Sequence, residues 1–132
     1  MPTMLGLDIG TSGAKAVVVR DDGEVIATGT AEYPISHPHP LWSEQDPADW
    51  WAGAQAALKA ALDDAAVSPG DVAGLGLTGQ MHGAVFLDAD DAVIRPAMLW
   101  NDGRTAAQCE EIERRVGLER LLGRPRDDLG SV

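Results

Sequence analysis

The first quarter of the chain leaves few folding options. Residues 4–9, 14–20 and 25–33 are apolar runs separated by short polar turns, which is the sequence form of an antiparallel three-stranded meander. Asp21-Asp22-Gly23-Glu24 makes the second turn a tight hairpin. The first turn is chemically richer. Asp8 lies inside Leu5-Gly6-Leu7-Asp8-Ile9, and Gly10-Thr11-Ser12-Gly13 follows it, with Lys15 just behind. Glycines at both ends of such a turn let backbone amides approach an anion, and a carboxylate beside them can hold a metal-bound polyphosphate.

The remainder reads as one helix and a return to the sheet. His37-Pro38-His39-Pro40-Leu41-Trp42 is too rich in proline to continue a ladder, so it is a loop, expected to be ordered against the body through Trp42. Asp46 and Pro47 read as the N-cap and first position of a helix, with Asp49 adding negative charge to the first turn. The helix is expected to reach about residue 66, burying a stripe of Trp51, Ala54, Leu58, Ala61, Leu62 and Ala65. Ser68-Pro69-Gly70 ends it. Residues 72–77 then form a short apolar strand, and a right-handed crossover through the helix sets it parallel to the first strand. A second hairpin is expected from 83–87 and 92–100 around Asp88-Ala89-Asp90-Asp91, followed by a charged amphipathic helix over 104–116.

Composition narrows the partners. At 132 residues and 45% hydrophobic, the chain is long enough for one domain with its own core. A formal net charge of -11, with only ten lysines and arginines, argues against nucleic acid, whose phosphates need clustered cations. A magnesium nucleotide remains compatible. No apolar run approaches the roughly 20 residues that span a bilayer, so no membrane is expected and a cytoplasmic location is. Cys109 is the single cysteine, which excludes an internal disulfide and a thiolate zinc cluster.

Several side chains have the chemistry of a binding site. Thr11, Ser12 and Lys15 could contact phosphate, though hydroxyls also cap turns without a ligand and Lys15 could be a solvated strand residue. Gln80, His82, Asn101 and Asp102 supply donors and acceptors of the kind a polyol needs, and Met81 and Trp100 supply apolar walls. His82 could instead be a satisfied core histidine, and Trp100 a core aromatic. His37 and His39 have no third ligand nearby and read as loop residues. Asp21, Asp22, Asp88, Asp90 and Asp91 read as turn formers.

The element order, with Asp8-Ile9-Gly10-Thr11 between the first two strands, resembles the ribonuclease H-like α/β domain of the superfamily that includes actin, hexokinase and the heat-shock chaperone ATPases. Gly76-Leu77-Thr78-Gly79-Gln80-Met81-His82-Gly83 and Ala97-Met98-Leu99-Trp100-Asn101-Asp102-Gly103-Arg104 narrow it further. Both resemble the FGGY carbohydrate kinases, as does Pro40-Leu41-Trp42-Ser43-Glu44-Gln45-Asp46-Pro47. The resemblance implies transfer of a phosphoryl group from ATP, with Mg2+, to a ketopentose, D-xylulose. It places Asp8 on the magnesium, through water, as the catalytic carboxylate of this segment. Gly10, Thr11, Ser12, Gly13 and Lys15 fall on the nucleotide phosphates, and Gln80, Met81, His82, Trp100, Asn101 and Asp102 on the sugar. Glycerol kinases carry an Arg-Glu pair where Met81 and His82 stand.

The same resemblance implies an incomplete unit. Residues 1–123 match part of the family's N-terminal domain, whereas 124–132 depart from its continuation, in which a further strand and helix complete the domain. The general base and adenosine pocket belong to later sequence. The expectation is an N-terminal piece of a longer enzyme, itself inactive, whose full-length form is a homodimer. Two other classes stand as alternatives. A metal-dependent nuclease would share the fold, but 72–77 supplies no carboxylate and the charge is of the wrong sign. A non-catalytic actin-like assembly or regulatory module would use the open face or edge of the sheet.

Overall fold

The computed structural model describes residues 2–123. Strands β1 (Thr3–Ile9), β2 (Gly13–Arg20) and β3 (Val25–Glu32) form the expected meander, and β5 (Val72–Gly79) joins it parallel to β1. The sheet order is β3-β2-β1-β5. Between β3 and β5 come a two-residue strand, β4 (Glu44–Gln45), and the long helix α1 (Pro47–Ala65). After β5 come β6 (Ala97–Met98), α2 (Ala106–Val116) and α3 (Leu118–Leu122). Among the described residues, no helix is long and apolar enough to cross a membrane.

Helix α1 is delimited by local chemistry. The Asp46 carboxylate accepts from the Ala48 amide at 2.9 Å, capping one of the first-turn donors. At the other end Ala66 turns left-handed at φ 52°, and the Val67 amide reaches back to the Leu62 carbonyl at 3.1 Å. The buried face is narrow and built from small residues: Gly53, Ala54, Ala57 and Ala61. These pack on Leu7, Ala14, Ala16, Val18, Ala27 and Tyr33. The fit is closest at Gly29, where an added Cβ would lie 2.1 Å from the Ala57 carbonyl oxygen.

This close approach corrects the expected helix stripe. Trp51 is 68% exposed, and Trp50 is the tryptophan that packs against the core. Only alanine and glycine fit the line of contact over β2 and β3, so the large side chains are displaced to its margin. Alternation along the strands puts Leu7, Ala14, Ala16 and Val18 under α1 and turns Asp8 and Lys15 to the opposite face. Beyond the helix, Leu75 and Leu77 of β5 are 51% and 69% exposed.

The second expected hairpin forms at its tip and again at its base, where Ala84 and Met98 exchange backbone hydrogen bonds at 2.8 and 3.1 Å. Asp88 accepts from the amides of Asp90 and Ala92, both at 2.9 Å, and Leu87 bridges Val93. Pro96 then interrupts the ladder. On its other edge β6 pairs with the segment before α1, Ala97 with Gln45 and Met98 with Glu44. Helix α2 starts at Ala106, after Arg104, because that arginine is held in an ion cluster. Cys109 is exposed. The departure expected over 124–132 lies outside the described residues.

Candidate active site

The glycine turn lies where β1 passes into β2. The Gly10 amide donates to the Gly13 carbonyl at 3.0 Å and closes it. Gly13 can be nothing larger, since a Cβ would stand 2.6 Å from the Ala31 carbonyl oxygen. Tyr33, at the end of the third apolar run, anchors the turn: its hydroxyl donates to the Gly10 carbonyl at 2.6 Å and its amide to the Ser12 carbonyl at 3.3 Å. Burial, aided by the charge of Asp8, pushes the Tyr33 hydroxyl above its ordinary pKa, so it stays protonated as a donor. Across three strands Lys15, Asp8 and Thr78 stand side by side in register. They border an open depression of about 340 Å³ that Gly6 and Gly76 also line, leaving backbone accessible beside the carboxylate.

Strand β5 brings the second motif to the same place. The Gln80 amide donates to the Ile9 carbonyl at 2.9 Å, so Gln80 begins where β1 ends. Met81 is 71% exposed and Trp100 58%, so neither is a core residue. His82 is exposed as well and has φ 62°, an uncommon backbone conformation for a side chain with a Cβ.

A chain of hydrogen bonds joins the two motifs. Trp100 Nε1 donates to Thr11 Oγ1 at 3.0 Å, and Thr11 Oγ1 donates to Gln80 Oε1 at 3.1 Å. Gln80 Nε2 donates to Gln45 Oε1 at 3.2 Å, which also receives Trp50 Nε1 at 2.9 Å. Gln45 Nε2 donates to the carbonyls of Thr11, at 2.7 Å, and Pro34, at 3.2 Å. The single hydroxyl hydrogen of Thr11 is therefore committed to Gln80, leaving its backbone amide for an anion. Gln45 had no assigned role in the sequence. The signal was a lone uncharged amide between Glu44 and the helix cap, a position buried to 1% exposure.

Asp102 stands apart from the other candidates. Its carboxylate accepts from Arg104 Nε at 2.8 and 2.9 Å, from the Arg104 amide at 3.0 Å and from the Ser43 amide at 2.8 Å. With its side chain 4% exposed, it faces inward, into the cluster around Arg104. Arg104 also pairs with Glu44 at 2.7 Å, as Arg95 does at 2.7 Å, and its guanidinium lies 3.6 Å above the Trp42 ring. The Arg104 hydrogen bonds hold both the Asp102 and the Glu44 carboxyl below the ordinary range, against the opposing effect of burial. Arg104 is in turn held above its ordinary value, first by its bonds to Asp102.

This cluster orders the proline-rich loop. Trp42 stacks against Arg104 and packs edge-on to His39 at 4.7 Å, and His37 Nδ1 lies 2.8 Å from the Trp42 carbonyl. His37 and His39 are thus loop residues in the fold, as expected. Among the described residues no group of three or more histidine, cysteine, aspartate or glutamate side chains could hold a metal. Asn101 is exposed and lines a second depression of about 480 Å³ with His37, His39, Trp42 and Ser43. The structure therefore gathers Thr11, Gln80 and Trp100 into one network, with Asp8 and Lys15 beside the turn, and takes Asp102 out of the exposed set.

Three antiparallel strands, a crossover helix and a parallel fourth strand, with a glycine turn after the first, define the N-terminal lobe of an actin-like ATPase fold. Residues 3–126 match the FGGY family of carbohydrate kinases, N-terminal domain, and the chain belongs to that family. It is 49% identical over 118 residues to the xylulose kinase of Escherichia coli and 50% identical over 118 residues to that of Klebsiella pneumoniae. Each alignment covers 89% of this chain and 24% of the relative, so the chain spans about a quarter of the length of these curated relatives. The crystal structure of xylulose kinase from Rhodospirillum rubrum superposes with a TM-score of 0.84 at 36% identity, over 91% of this chain and 25% of that one.

Proposed function

We propose that this chain supplies the phosphate turn and sugar platform of an ATP-dependent kinase. That kinase moves the γ-phosphoryl group to D-xylulose and yields D-xylulose 5-phosphate. The observation that carries the reading is the hydrogen-bonded line from Trp100 through Thr11 to Gln80. A phosphate turn and a polyol surface at one strand end is the arrangement that in-line phosphoryl transfer requires. The family and the relatives' activity support the acceptor.

The residues fit a magnesium nucleotide. An exposed carboxylate, Asp8, adjoins a turn whose Gly13 admits no Cβ. Asp8 would hold the ion through water, as magnesium's reluctance to dehydrate favours, and the ion when bound neutralises phosphate charge. The amides of Thr11 to Gly13 and the Lys15 ammonium would position phosphate oxygens. Gln80, His82 and Asn101 would orient the sugar hydroxyls, with Met81 and Trp100 against its carbon face. No residue of this chain is assigned the general base, which the reading places in later sequence of the family. A cytoplasmic location accords with soluble sugar and nucleotide substrates.

A graft tests this. Residues 1–123 replace the matching segment of the Escherichia coli xylulose kinase, and ADP release is followed with D-xylulose and with glycerol. The graft is expected to phosphorylate D-xylulose, to lose activity on Asp8→Ala and to ignore glycerol, while the 132-residue chain alone turns over nothing. Preference for glycerol would refute the assigned acceptor, and turnover by the isolated chain would refute the placement of the base.

A further inference from the structure

The buried amide of Gln45 has all four of its hydrogen-bonding capacities filled, and the partners leave it no alternative orientation. The Thr11 and Pro34 carbonyls can only accept, so they fix Nε2 on their side. The Trp50 indole can only donate, so it fixes Oε1 on the other. The remaining acceptance at Gln45 Oε1 then demands an N–H from Gln80, which turns Gln80 Oε1 toward Thr11. Thr11 must donate its hydroxyl hydrogen there, and its oxygen is left to accept from Trp100. One buried residue thereby sets the orientation of the Gln80 amide and the direction of the Thr11 hydroxyl, and the Trp100 indole, a donor only, adds its bond to the Thr11 oxygen.

We infer that Gln45 is a positioning residue that fixes which end of the Gln80 amide is offered to the sugar. With Oε1 facing Thr11 and one Nε2 hydrogen given to Gln45, Gln80 presents its second Nε2 hydrogen, a donor to a hydroxyl oxygen of the acceptor. The sugar part of this statement rests on the function proposed above. The link from Gln45 to Trp100 does not. Gln45→Leu removes both ends of the amide. Gln45→Glu keeps the shape but sets an oxygen against two carbonyls, a clash relieved only when that carboxyl is protonated.

The test follows the four tryptophan indole N–H signals of the 132-residue chain by NMR, with D-xylulose KM measured in the graft carrying the same substitutions. In Gln45→Leu the Trp50 and Trp100 indole protons are expected to exchange about tenfold faster, the loss of about 1.4 kcal/mol. Trp51, exposed, and Trp42, stacked on Arg104, are expected to stay unchanged. In Gln45→Glu the Trp100 signal is expected to return toward its wild-type position as pH falls. Glu44, Asp46 and Asp49, which line a depression with position 45, are also present in the leucine variant, which serves as the control for them. The KM for D-xylulose is expected to rise about tenfold in both variants at neutral pH. A Trp100 signal that stays put while Trp50 moves, or that ignores pH in the isosteric variant, overturns the inference. So does an unchanged KM. A wild-type graft that ignores D-xylulose while Trp50 and Trp100 respond together refutes the proposed substrate and upholds the Gln45 linkage.

Discussion

Replacing Gly29 with alanine examines the contact on which the whole sheet–helix packing depends. The new Cβ would lie 2.1 Å from the Ala57 carbonyl oxygen and 2.6 Å from the Ala61 amide nitrogen, both backbone atoms of α1. Ordinary contact starts at 3.4 Å, so the helix must lift by roughly 1.3 Å over this point. Neither partner is a flexible side chain that could swing away. A gap of about 1 Å forfeits up to about half of each dispersion contact across it, and the core here is mostly alanine with no long side chains to fill the gap. Overpacking of this kind costs about 3 kcal/mol at the upper end of its usual range, and the reduced freedom of the unfolded chain returns less than about 1 kcal/mol of it. At roughly 4 °C per kcal/mol for a domain of this length, Gly29→Ala is expected to lower Tm by about 8–12 °C. Circular dichroism melts measure it, with Thr28→Ala, an exposed neighbour on β3, as the control. A Tm within about 2 °C of wild type would show that α1 does not sit this close to β3.

Two further outcomes are expected. Tyr33→Phe removes the donor that anchors the Gly10 carbonyl and should cost about 1 kcal/mol in urea unfolding; in the graft it should raise KM for ATP more than KM for D-xylulose, and an equal rise in both would refute its assignment to the phosphate turn. Glu44 and Asp102 have folded pKa values lowered chiefly by hydrogen bonds from Arg104. Their contribution is therefore complete above the unfolded carboxylate range and is lost as pH falls through about 4 toward the folded values. The stability gap between wild type and Asp102→Asn should narrow from pH 7 to pH 3, and a gap that widens would show that the carboxylate is not held below its ordinary value.

The sequence determined the elements whose chemistry is local. The meander, the Asp46 cap, the length of α1, the parallel β5 and the glycine turn could all be read from it because capping, turn preference and apolar periodicity act over a few residues. The candidate residues Thr11, Gln80, Met81, His82 and Trp100 were legible through their motifs. Tertiary structure alone decided which of them remain free. Asp102 and Asn101 are adjacent in sequence and equally polar, yet one is enclosed by Arg104 and Ser43 while the other is exposed. Trp50 and Trp51 are adjacent too, yet Trp50 packs on the core with its indole bonded to Gln45 while Trp51 is exposed. Gln45 and Tyr33 acquire their roles from partners as many as 35 residues away. A hydrogen bond depends on direction and distance between groups that only the folded chain brings together, and no pattern within a short window records it.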